Sequence, residues 1–301
     1  MKRFSYLLAV LLFHLPVGAQ NVRPELTLQI GHMARITGVA SSPDGSLMAS
    51  GGMDETAKIW DAKTGALRFS LPLEAPVLAV EFQSDALLVI ADAAGTLSAY
   101  ETKTGALRGR QEGGKLEMSA AALSKGGKLA AFAATGGPIE IRDLTTGRQV
   151  AVLDGHPTKV LAMAFSPDGT TLASCSDAFQ EKTASEEIAR RAGDIRLWNV
   201  ADGELIKILR GHALSVNGLA WSPDGSRLAS VGESGTAIVW DSRTFAEVEE
   251  FNTSQGQGRA TSVAFSPDNQ RLLVSWRAGI KAFDLKDENT ALWSYKSEKP
   301  V

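Results

Sequence analysis

The amino-acid sequence predicts an all-β protein, a β-propeller of six four-stranded antiparallel blades. A turn phrase, Ser-Pro-Asp-Gly, recurs along the chain in intact and degenerate copies. The six copies start at residues 42, 83, 124, 166, 222 and 266, so that all intervals but one are 41 to 44 residues. Short apolar or alternating segments flank each copy, as expected of strands bounded by turns. Four strands in a period of about 42 residues are typical of a propeller blade.

The turn phrase is interpreted as a structural hairpin within each blade. In the fifth copy it lies between the predicted strands 216–221 and 227–231. Proline fixes φ, aspartate caps the turn and glycine takes the left-handed position. The period places the blades near residues 31–70, 71–111, 112–153, 154–209, 210–251 and 252–296.

The N-terminal residues have the pattern of a secretory signal. Lys2 and Arg3 precede an apolar run over residues 4–15, and small residues end at Ala19. This order predicts a signal peptide over residues 1–19 and a propeller over 20–301. The run is shorter than the roughly 20 residues of a membrane span, although an N-terminal anchor is the alternative. The expected location is therefore periplasmic or secreted, without integral membrane association after cleavage.

Composition and charge narrow the partner classes. The chain is 44% apolar and 22% charged, as in globular proteins, and its formal net charge is −3. This balance gives no general attraction to nucleic acid, so no nucleic-acid partner is predicted. Cys175 is the only cysteine, which excludes an internal disulfide and favours a packed strand residue.

A second pair of motifs brackets three of the repeats. Gly-His precedes the first strand, and Trp-Asp or Trp-Asn closes the third, with the pairs at His32 and Trp60, His156 and Trp198, and His212 and Trp240. These paired motifs resemble the WD40-repeat family of β-propellers, in an exported bacterial form, over about residues 25–285. The spacing is 28 residues in two repeats and 42 in the fourth, which indicates a 14-residue insertion over 178–191.

The resemblance implies a structural role for these histidines. In the family, the histidine bonds to a strand serine and a turn aspartate beneath the tryptophan. The first repeat has the full set, His32, Ser50, Asp54 and Trp60. The other two repeats have His156 and Trp198, and His212, Ser230 and Trp240.

Repeats two to five each lack part of the set found in the first repeat. Ser234 stands at the aspartate position of the fifth repeat, and Ser174 of the fourth has no aligned aspartate. Repeats two and three lack the histidine and have Tyr100 and Arg142 at the tryptophan position. We expect those two blades to depend on packing and to be locally softer.

The insertion predicts a short helix on blade 4. Thr183 to Glu186 form a capping-box pattern. Glu186 with Arg190, and Glu187 with Arg191, are favourable i,i+4 pairs. The resemblance implies that the face carrying this insertion binds partners. A solvated helix without a ligand is the alternative.

The same face is predicted to carry the residue that precedes each innermost strand. By alignment these residues are Arg35, Pro76, Glu117, Lys159, Ser215 and Arg259. Three are basic and one is acidic, so the ring would attract an acidic peptide or surface. Solvation of these charges is the simpler interpretation.

The sequence offers two candidates for the last outer strand. Residues 25–30 precede the first Gly-His, and residues 290–296 follow the last repeat. Either six blades close into a ring with one strand spare, or a seventh blade is missing or incomplete. We favour six closed blades, because shared first and last strands usually protect propeller edges.

No reactive centre is predicted. The four histidines are His14, in the signal, and the three of the Gly-His pairs, so none is left for a metal site or a catalytic triad. We expect no metal, no cofactor and no enzymatic activity. The predicted function is a protein-interaction scaffold for a protein or peptide partner.

Two other functions and a second fold subtype stay open. The chain could be the recognition domain of a longer, peptidase-like hydrolase, or a propeller that binds a small ligand in its channel. Periplasmic propellers with Pro-Asp repeats of the Tol-associated kind share the hairpin phrase. They lack the Gly-His and Trp-Asp pairs, which favours the WD40 subtype.

Overall fold

The computed structural model describes residues 31–114, 116–156, 158–177, 193–252, 259–276, 279–286 and 291–296. These residues form six four-stranded antiparallel sheets, and within each sheet the strands lie in chain order. The described part of the chain contains strands and turns but no helix. The predicted all-β fold of six four-stranded blades is confirmed.

The strands of the first three blades have the following bounds. Blade 1 contains β1 (Ile36–Ser41), β2 (Leu47–Gly52), β3 (Thr56–Asp61) and β4 (Leu67–Pro72). Blade 2 contains β5 (Val77–Ser84), β6 (Leu87–Asp92), β7 (Leu97–Glu101) and β8 (Leu107–Gln111). Blade 3 contains β9 (Met118–Leu123), β10 (Leu129–Ala134), β11 (Ile139–Asp143) and β12 (Gln149–Leu153).

The last three blades repeat this order. Blade 4 contains β13 (Val160–Phe165), β14 (Thr171–Ser176), β15 (Ile195–Asn199) and β16 (Leu205–Leu209). Blade 5 contains β17 (Val216–Trp221), β18 (Arg227–Gly232), β19 (Thr236–Asp241) and β20 (Glu247–Asn252). Blade 6 contains β21 (Ala260–Phe265), β22 (Arg271–Trp276), β23 (Gly279–Asp284) and β24 (Ala291–Lys296).

The turn phrase forms the hairpin between the first and second strands. Ser42 Oγ donates to Asp44 Oδ1 (2.6 Å) and accepts from the backbone N–H of Leu47 (2.9 Å). Gly45 has a φ of 71°, in the region that glycine adopts without strain. In blade 6 Asn269 takes this position with a φ of 60°, because asparagine tolerates the left-handed region better than most residues.

The first strands of successive blades contact each other, which places them around the central axis. Each blade therefore has two ends. We call the end with the first-to-second-strand turns the hairpin face. The opposite end, where the chain enters each first strand and where the second and third strands connect, is the entry face.

The hydrophobic core is divided into clusters between consecutive blades. Each cluster joins the second and third strands of one blade to the first and second strands of the next. Between blades 1 and 2, for example, Ala49 and Ile59 pack against Val80, Phe82 and Leu88. The described residues form such a cluster at every junction from blade 1 to blade 6, but none between blade 6 and blade 1.

The structure decides between the two candidates for the last outer strand. β24 pairs with β23 and so fills the outer position of blade 6. Residues 25–30 lie outside the described residues. The closure that the sequence favoured is not seen, because β21 shows no packing against β1 like that of the other first strands in the described part of the chain. The predicted helical insertion, 178–191, also lies outside the described residues.

Candidate functional site: the entry face

The entry face is built by a repeated backbone contact. In five blades, the residue before the first strand accepts a hydrogen bond from a backbone N–H in the loop after the second strand. The donor and acceptor pairs are Met53 to Arg35 (2.9 Å), Ala93 to Pro76 (2.8 Å), Thr135 to Glu117 (3.1 Å), Asp177 to Lys159 (2.8 Å) and Glu233 to Ser215 (2.9 Å). These positions are therefore held at equivalent places around the axis.

The side chains of this ring differ in their availability. Arg35, Glu117 and Lys159 are exposed, and no ion pair involves them within the described ranges. Arg259 is different, because its Nη2 lies 2.7 Å from Glu233 Oε1 and 3.1 Å from Asn217 Oδ1. Arg259 thus links blade 6 to blade 5, and its charge is balanced. The basic character expected of the ring is reduced to Arg35 and Lys159.

Four other predicted partner-binding residues belong to the insertion of blade 4. Glu186, Glu187, Arg190 and Arg191 belong to the insertion, which lies outside the described residues. The insertion connects β14 to β15, that is, a second strand to a third, and such connections lie at the entry face.

Three exposed apolar side chains on the entry face were missed by the sequence reasoning. Met33 is 95% exposed and Leu116 is 63% exposed, and each lies shortly before a first strand. Met53, in the loop after β2, is also exposed. The exposure of Met33 could have been predicted from the sequence, because an apolar residue directly after Gly-His precedes the first strand and is not part of it. Met33, Met53 and Arg35 give blade 1 a mixed apolar and charged surface, and Leu116 adds an exposed apolar side chain on blade 3.

Directly beneath this surface, blade 1 contains a hydrogen-bonded histidine. His32 Nδ1 lies 2.9 Å from Asp54 Oδ1 and therefore donates to the carboxylate. In the neutral ring Nε2 then accepts from Ser50 Oγ, 2.7 Å away. Trp60 Nε1 donates to the same hydroxyl (2.8 Å). The four side chains join the chain entering β1 to β2 and β3.

Asp54 is strongly stabilised in its ionised form. Burial opposes ionisation, but hydrogen bonds from His32, the N–H of Met33 and Thr56 outweigh it and hold the pKa of Asp54 well below its usual range. The Met33 bond is 2.7 Å long. Asp54 therefore fixes the backbone at the most exposed apolar residue of the entry face.

Blades 4 and 5 contain incomplete versions of this network. His156 Nε2 lies 2.7 Å from Ser174 Oγ, and Trp198 Nε1 donates to the same atom (2.7 Å). In blade 5, His212, Ser230 and Trp240 repeat the arrangement at 2.8 and 2.9 Å. These sets place the histidine beside the serine and tryptophan as in blade 1, without its aspartate.

Comparison with known proteins agrees with these repeats. The family model "WD domain, G-beta repeat" matches residues 23–61, 147–179 and 203–241. The matched segments contain the three Gly-His pairs, and the second match stops where the insertion begins. The chain contains WD40 repeats.

Similar WD40 proteins come from several eukaryotes. The periodic tryptophan protein 2 homolog of Dictyostelium discoideum is 26% identical over 82% of this chain and 28% of its own length. WD repeat-containing protein SL1-17 of Schistosoma mansoni is 33% identical over 58% of this chain and 54% of its own. Apoptotic protease-activating factor 1 of Mus musculus is 27% identical over 79% of this chain and 17% of its own. The chain therefore spans about half, or less, of the length of these relatives.

WD40 blades 2 and 3 replace the hydrogen-bonded network with apolar packing. Ile90 and Phe132 take the serine position, and both are fully buried. At the tryptophan position, Tyr100 packs against the core between blades 1 and 2. Arg142 pairs with Glu140 (2.7 Å) and lies over the Phe132 ring, 5.5 Å from its centroid. Blades 2 and 3 therefore fill the serine and tryptophan positions without the hydrogen bonds between histidine, serine and tryptophan found in blades 1, 4 and 5.

A cleft of about 280 Å³ lies on the hairpin face of this WD40 propeller. It is formed between blades 4 and 5, with Asp168, Trp221, Asp224 and Phe245 among its lining residues. Hydrogen bonds within the turns lower the pKa of both aspartates, and the largest contribution comes from the serine two residues earlier. The carboxylates are thus occupied in holding their own turns.

Among the described residues, no group of three or more histidine, cysteine, aspartate or glutamate side chains is arranged to hold a metal ion. In the same residues no helix is long and apolar enough to cross a membrane.

The buried histidines predict a stability that falls in mild acid. Burial lowers the pKa of His212 to about 4, and burial with the charge of Arg196 lowers that of His156 to about 3. Histidine in the unfolded chain titrates at about pH 6.5, so the unfolded chain takes up protons before the folded chain does. The stability present above that pH is therefore lost as pH falls towards 4. Glu81 acts oppositely, because burial raises its pKa to about 7, and its contribution falls as pH rises.

With rising pH the two histidines raise the free energy of unfolding and Glu81 lowers it. The net rise is about 1 kcal/mol per pH unit between about pH 5 and 6.5. Urea denaturation across this window should show stability rising with pH. The rise should be steeper in Glu81→Gln and flatter in His212→Gln. A wild-type stability that falls with pH in this window would contradict the assignment.

Proposed function

We propose that this WD40 propeller is a non-catalytic scaffold that binds a protein or peptide partner on its entry face. The observation that carries the proposal is the exposure of the apolar side chains of Met33, Met53 and Leu116 on the same face as the exposed charges of Arg35 and Lys159. Exposed apolar groups rimmed by charged ones are typical of protein interaction sites.

The rigidity of this face supports the same function. The backbone before the first strand is held by hydrogen bonds in five blades. In blade 1 the Asp54 network additionally holds the backbone at Met33. A preorganised surface loses little conformational entropy on binding. Residues 178–191 connect β14 to β15, whose adjoining ends lie at this face, and we propose that these residues add a contact.

The proposal predicts that acidic substitutions on the entry face abolish partner capture. Residues 20–301 would be immobilised and exposed to extract of the source organism, with bound proteins quantified by mass spectrometry. Met33→Asp with Leu116→Asp should reduce capture of the partner about tenfold or more, because each removes an apolar contact and adds a charge. Replacing 178–191 by a short glycine-serine linker should reduce capture further.

Matched controls lie at the opposite end of the blades. Leu107 and Leu205 begin outer strands at the hairpin face and are also exposed, at 49% and 42%. The pair Leu107→Asp with Leu205→Asp should leave capture unchanged. If the entry-face variant and the hairpin-face variant captured the same proteins in the same amounts, binding on the entry face would be excluded.

We also propose that the protein is exported. The proposal rests on the basic start, the apolar run and the small residues that end at Ala19. Cell fractionation should place the protein outside the cytoplasm, and intact-mass measurement should give a chain that begins at Gln20. A cytoplasmic protein that keeps residues 1–19 would refute export.

A further inference from the structure

The cleft between blades 4 and 5 on the hairpin face has two aromatic side chains in its wall. Trp221 ends β17, and Phe245 lies in the turn between β19 and β20. Both are partly buried and pack against the core between these two blades. Trp221 Nε1 donates to the backbone carbonyl of Ala164 in blade 4 (3.1 Å), which fixes the indole at the junction. Ile206 of β16, which is 44% exposed, continues the apolar wall on blade 4.

Phe245 occupies a position that is glycine in blades 1 to 4. In all five blades the N–H of this residue donates to the backbone carbonyl four residues earlier, at 2.8 or 2.9 Å. The glycines have φ values between 69° and 76°, and Phe245 has a φ of 59°. A bulky residue rarely adopts this region, and strain of this kind is concentrated at functional sites. The glycines are Gly65, Gly105, Gly147 and Gly203.

The turn of blade 5 has room for a side chain where those of blades 2 and 4 have much less. A Cβ added at Gly105 would lie 2.8 Å from the ring of Phe69, and one added at Gly203 would lie 3.2 Å from the carbonyl oxygen of Val152. Both contacts are with the outer strand of the preceding blade. At the junction of blades 4 and 5 the phenyl ring of Phe245 and the cleft take up this space.

Two exposed carboxylates line the same cleft. Asp168 lies in the turn between β13 and β14, and Asp224 lies in the turn between β17 and β18. The turns use Oδ1 of each, which accepts from Ser166 Oγ (2.5 Å) in the first and from Ser222 Oγ (2.6 Å) in the second. Neither Oδ2 accepts a hydrogen bond from another described residue, and neither carboxylate forms an ion pair with one. One oxygen of each carboxylate is therefore available to a ligand.

The negative charge of these two carboxylates is not balanced by a basic side chain of the described residues. Hydrogen bonds within each turn lower the pKa of Asp168 and of Asp224, and no basic group contributes to either shift. Arg243, in the turn that carries Phe245, acts on another carboxylate. The pKa of Asp241 is lowered first by hydrogen bonds from Thr244 and also by the charge of Arg243. The cleft thus combines an apolar, aromatic wall with two unbalanced negative charges.

We propose that this cleft binds an arginine side chain of a partner protein or peptide. A guanidinium group is planar and weakly hydrated, stacks on aromatic faces and donates paired hydrogen bonds to carboxylates. Trp221 and Phe245 would contact its apolar stem and its plane, and Oδ2 of Asp168 and of Asp224 would accept its hydrogen bonds. The site lies at the opposite end of the blades from the entry face, so this proposal is independent of partner binding there.

Matched peptide pools test the proposal. The purified protein would be titrated into fluorescein-labelled peptides that have arginine, citrulline or glutamate at the centre and randomised flanking positions, with binding followed by fluorescence anisotropy. Citrulline has nearly the shape of arginine but no charge. We expect the arginine pool to bind about tenfold or more tightly than the citrulline pool, since a charge-assisted hydrogen bond is stronger than a neutral one. Added salt should weaken binding of the arginine pool.

Variants of the cleft separate its two components. Asp168→Asn with Asp224→Asn keeps an acceptor oxygen in each turn and removes both charges, and it should weaken binding of the arginine pool about tenfold. Phe245→Gly restores the glycine of blades 1 to 4, so the fold should be retained in urea denaturation while binding weakens. Asp44→Asn is the matched control, because Asp44 holds the same turn in blade 1, away from the cleft.

Each contrary outcome overturns the proposal. Absence of binding by the arginine pool, equal binding of the arginine and citrulline pools, or preference for the glutamate pool would show that the cleft does not select a cation. Unchanged binding by the double asparagine variant would show that its carboxylates are not used. A loss in Asp44→Asn as large as in the cleft variants would place the peptide elsewhere on the protein.

Discussion

Replacing Phe132 with alanine should lower the free energy of unfolding by about 3–5 kcal/mol. Phe132 is among the largest fully buried side chains and takes the serine position of a blade that has no histidine network. It packs with Val89, Leu97 and Met118 between blades 2 and 3. The substitution removes the ring and leaves a cavity, and Arg142 loses the aromatic face that its guanidinium covers.

Urea denaturation followed by tryptophan fluorescence would measure this loss. Leu107→Ala is the control, because Leu107 is about half exposed and its removal should change stability by less than about 1 kcal/mol. In a repeat array the loss is transmitted to nearest neighbours, so hydrogen exchange should rise first in blades 2 and 3. A loss of similar size in both variants would show that blade 3 does not depend on this packing.

Replacing Ser230 with alanine should cost about 2–4 kcal/mol, since two buried groups each lose their partner. Trp240 Nε1 donates to Ser230 Oγ at 2.9 Å, and His212 Nε2 lies 2.8 Å from the same atom. Ser230 is fully buried, so water cannot replace the hydroxyl without rearrangement.

A double-mutant cycle would separate the two bonds. Trp240→Phe removes the indole N–H, so the combined variant Ser230→Ala with Trp240→Phe should lose less than the sum of the two single losses. Ser226→Ala is the matched control, since Ser226 lies in an exposed turn. Strict additivity of the two losses would indicate that the indole and the hydroxyl do not interact.

The fold was predictable because its signals are local and repeated. The turn phrase requires proline, aspartate and a residue that tolerates positive φ within four positions, and Gly45 and Asn269 meet that requirement directly. The strands between these turns are short and apolar, so their number follows from the spacing. Gly-His and Trp-Asp likewise mark the entry of the first strand and the end of the third.

The site was less predictable, because its properties depend on partners distant in sequence. Arg259 reads as a free rim charge until Glu233 of the preceding blade is placed beside it. The exposure of Met33 depends on how the chain enters β1, and that of Val39, in β1, on the lack of a preceding blade among the described residues. Sequence periodicity gives identical expectations for Val39 and Val80, so only the arrangement of blades distinguishes them.

The chain-order arrangement of strands has a consequence for synthesis. Each described blade is completed by consecutive segments, and its main contacts are with the blades made just before and just after it. Such short-range connectivity favours rapid folding. A nascent chain can therefore add finished modules one at a time as it emerges.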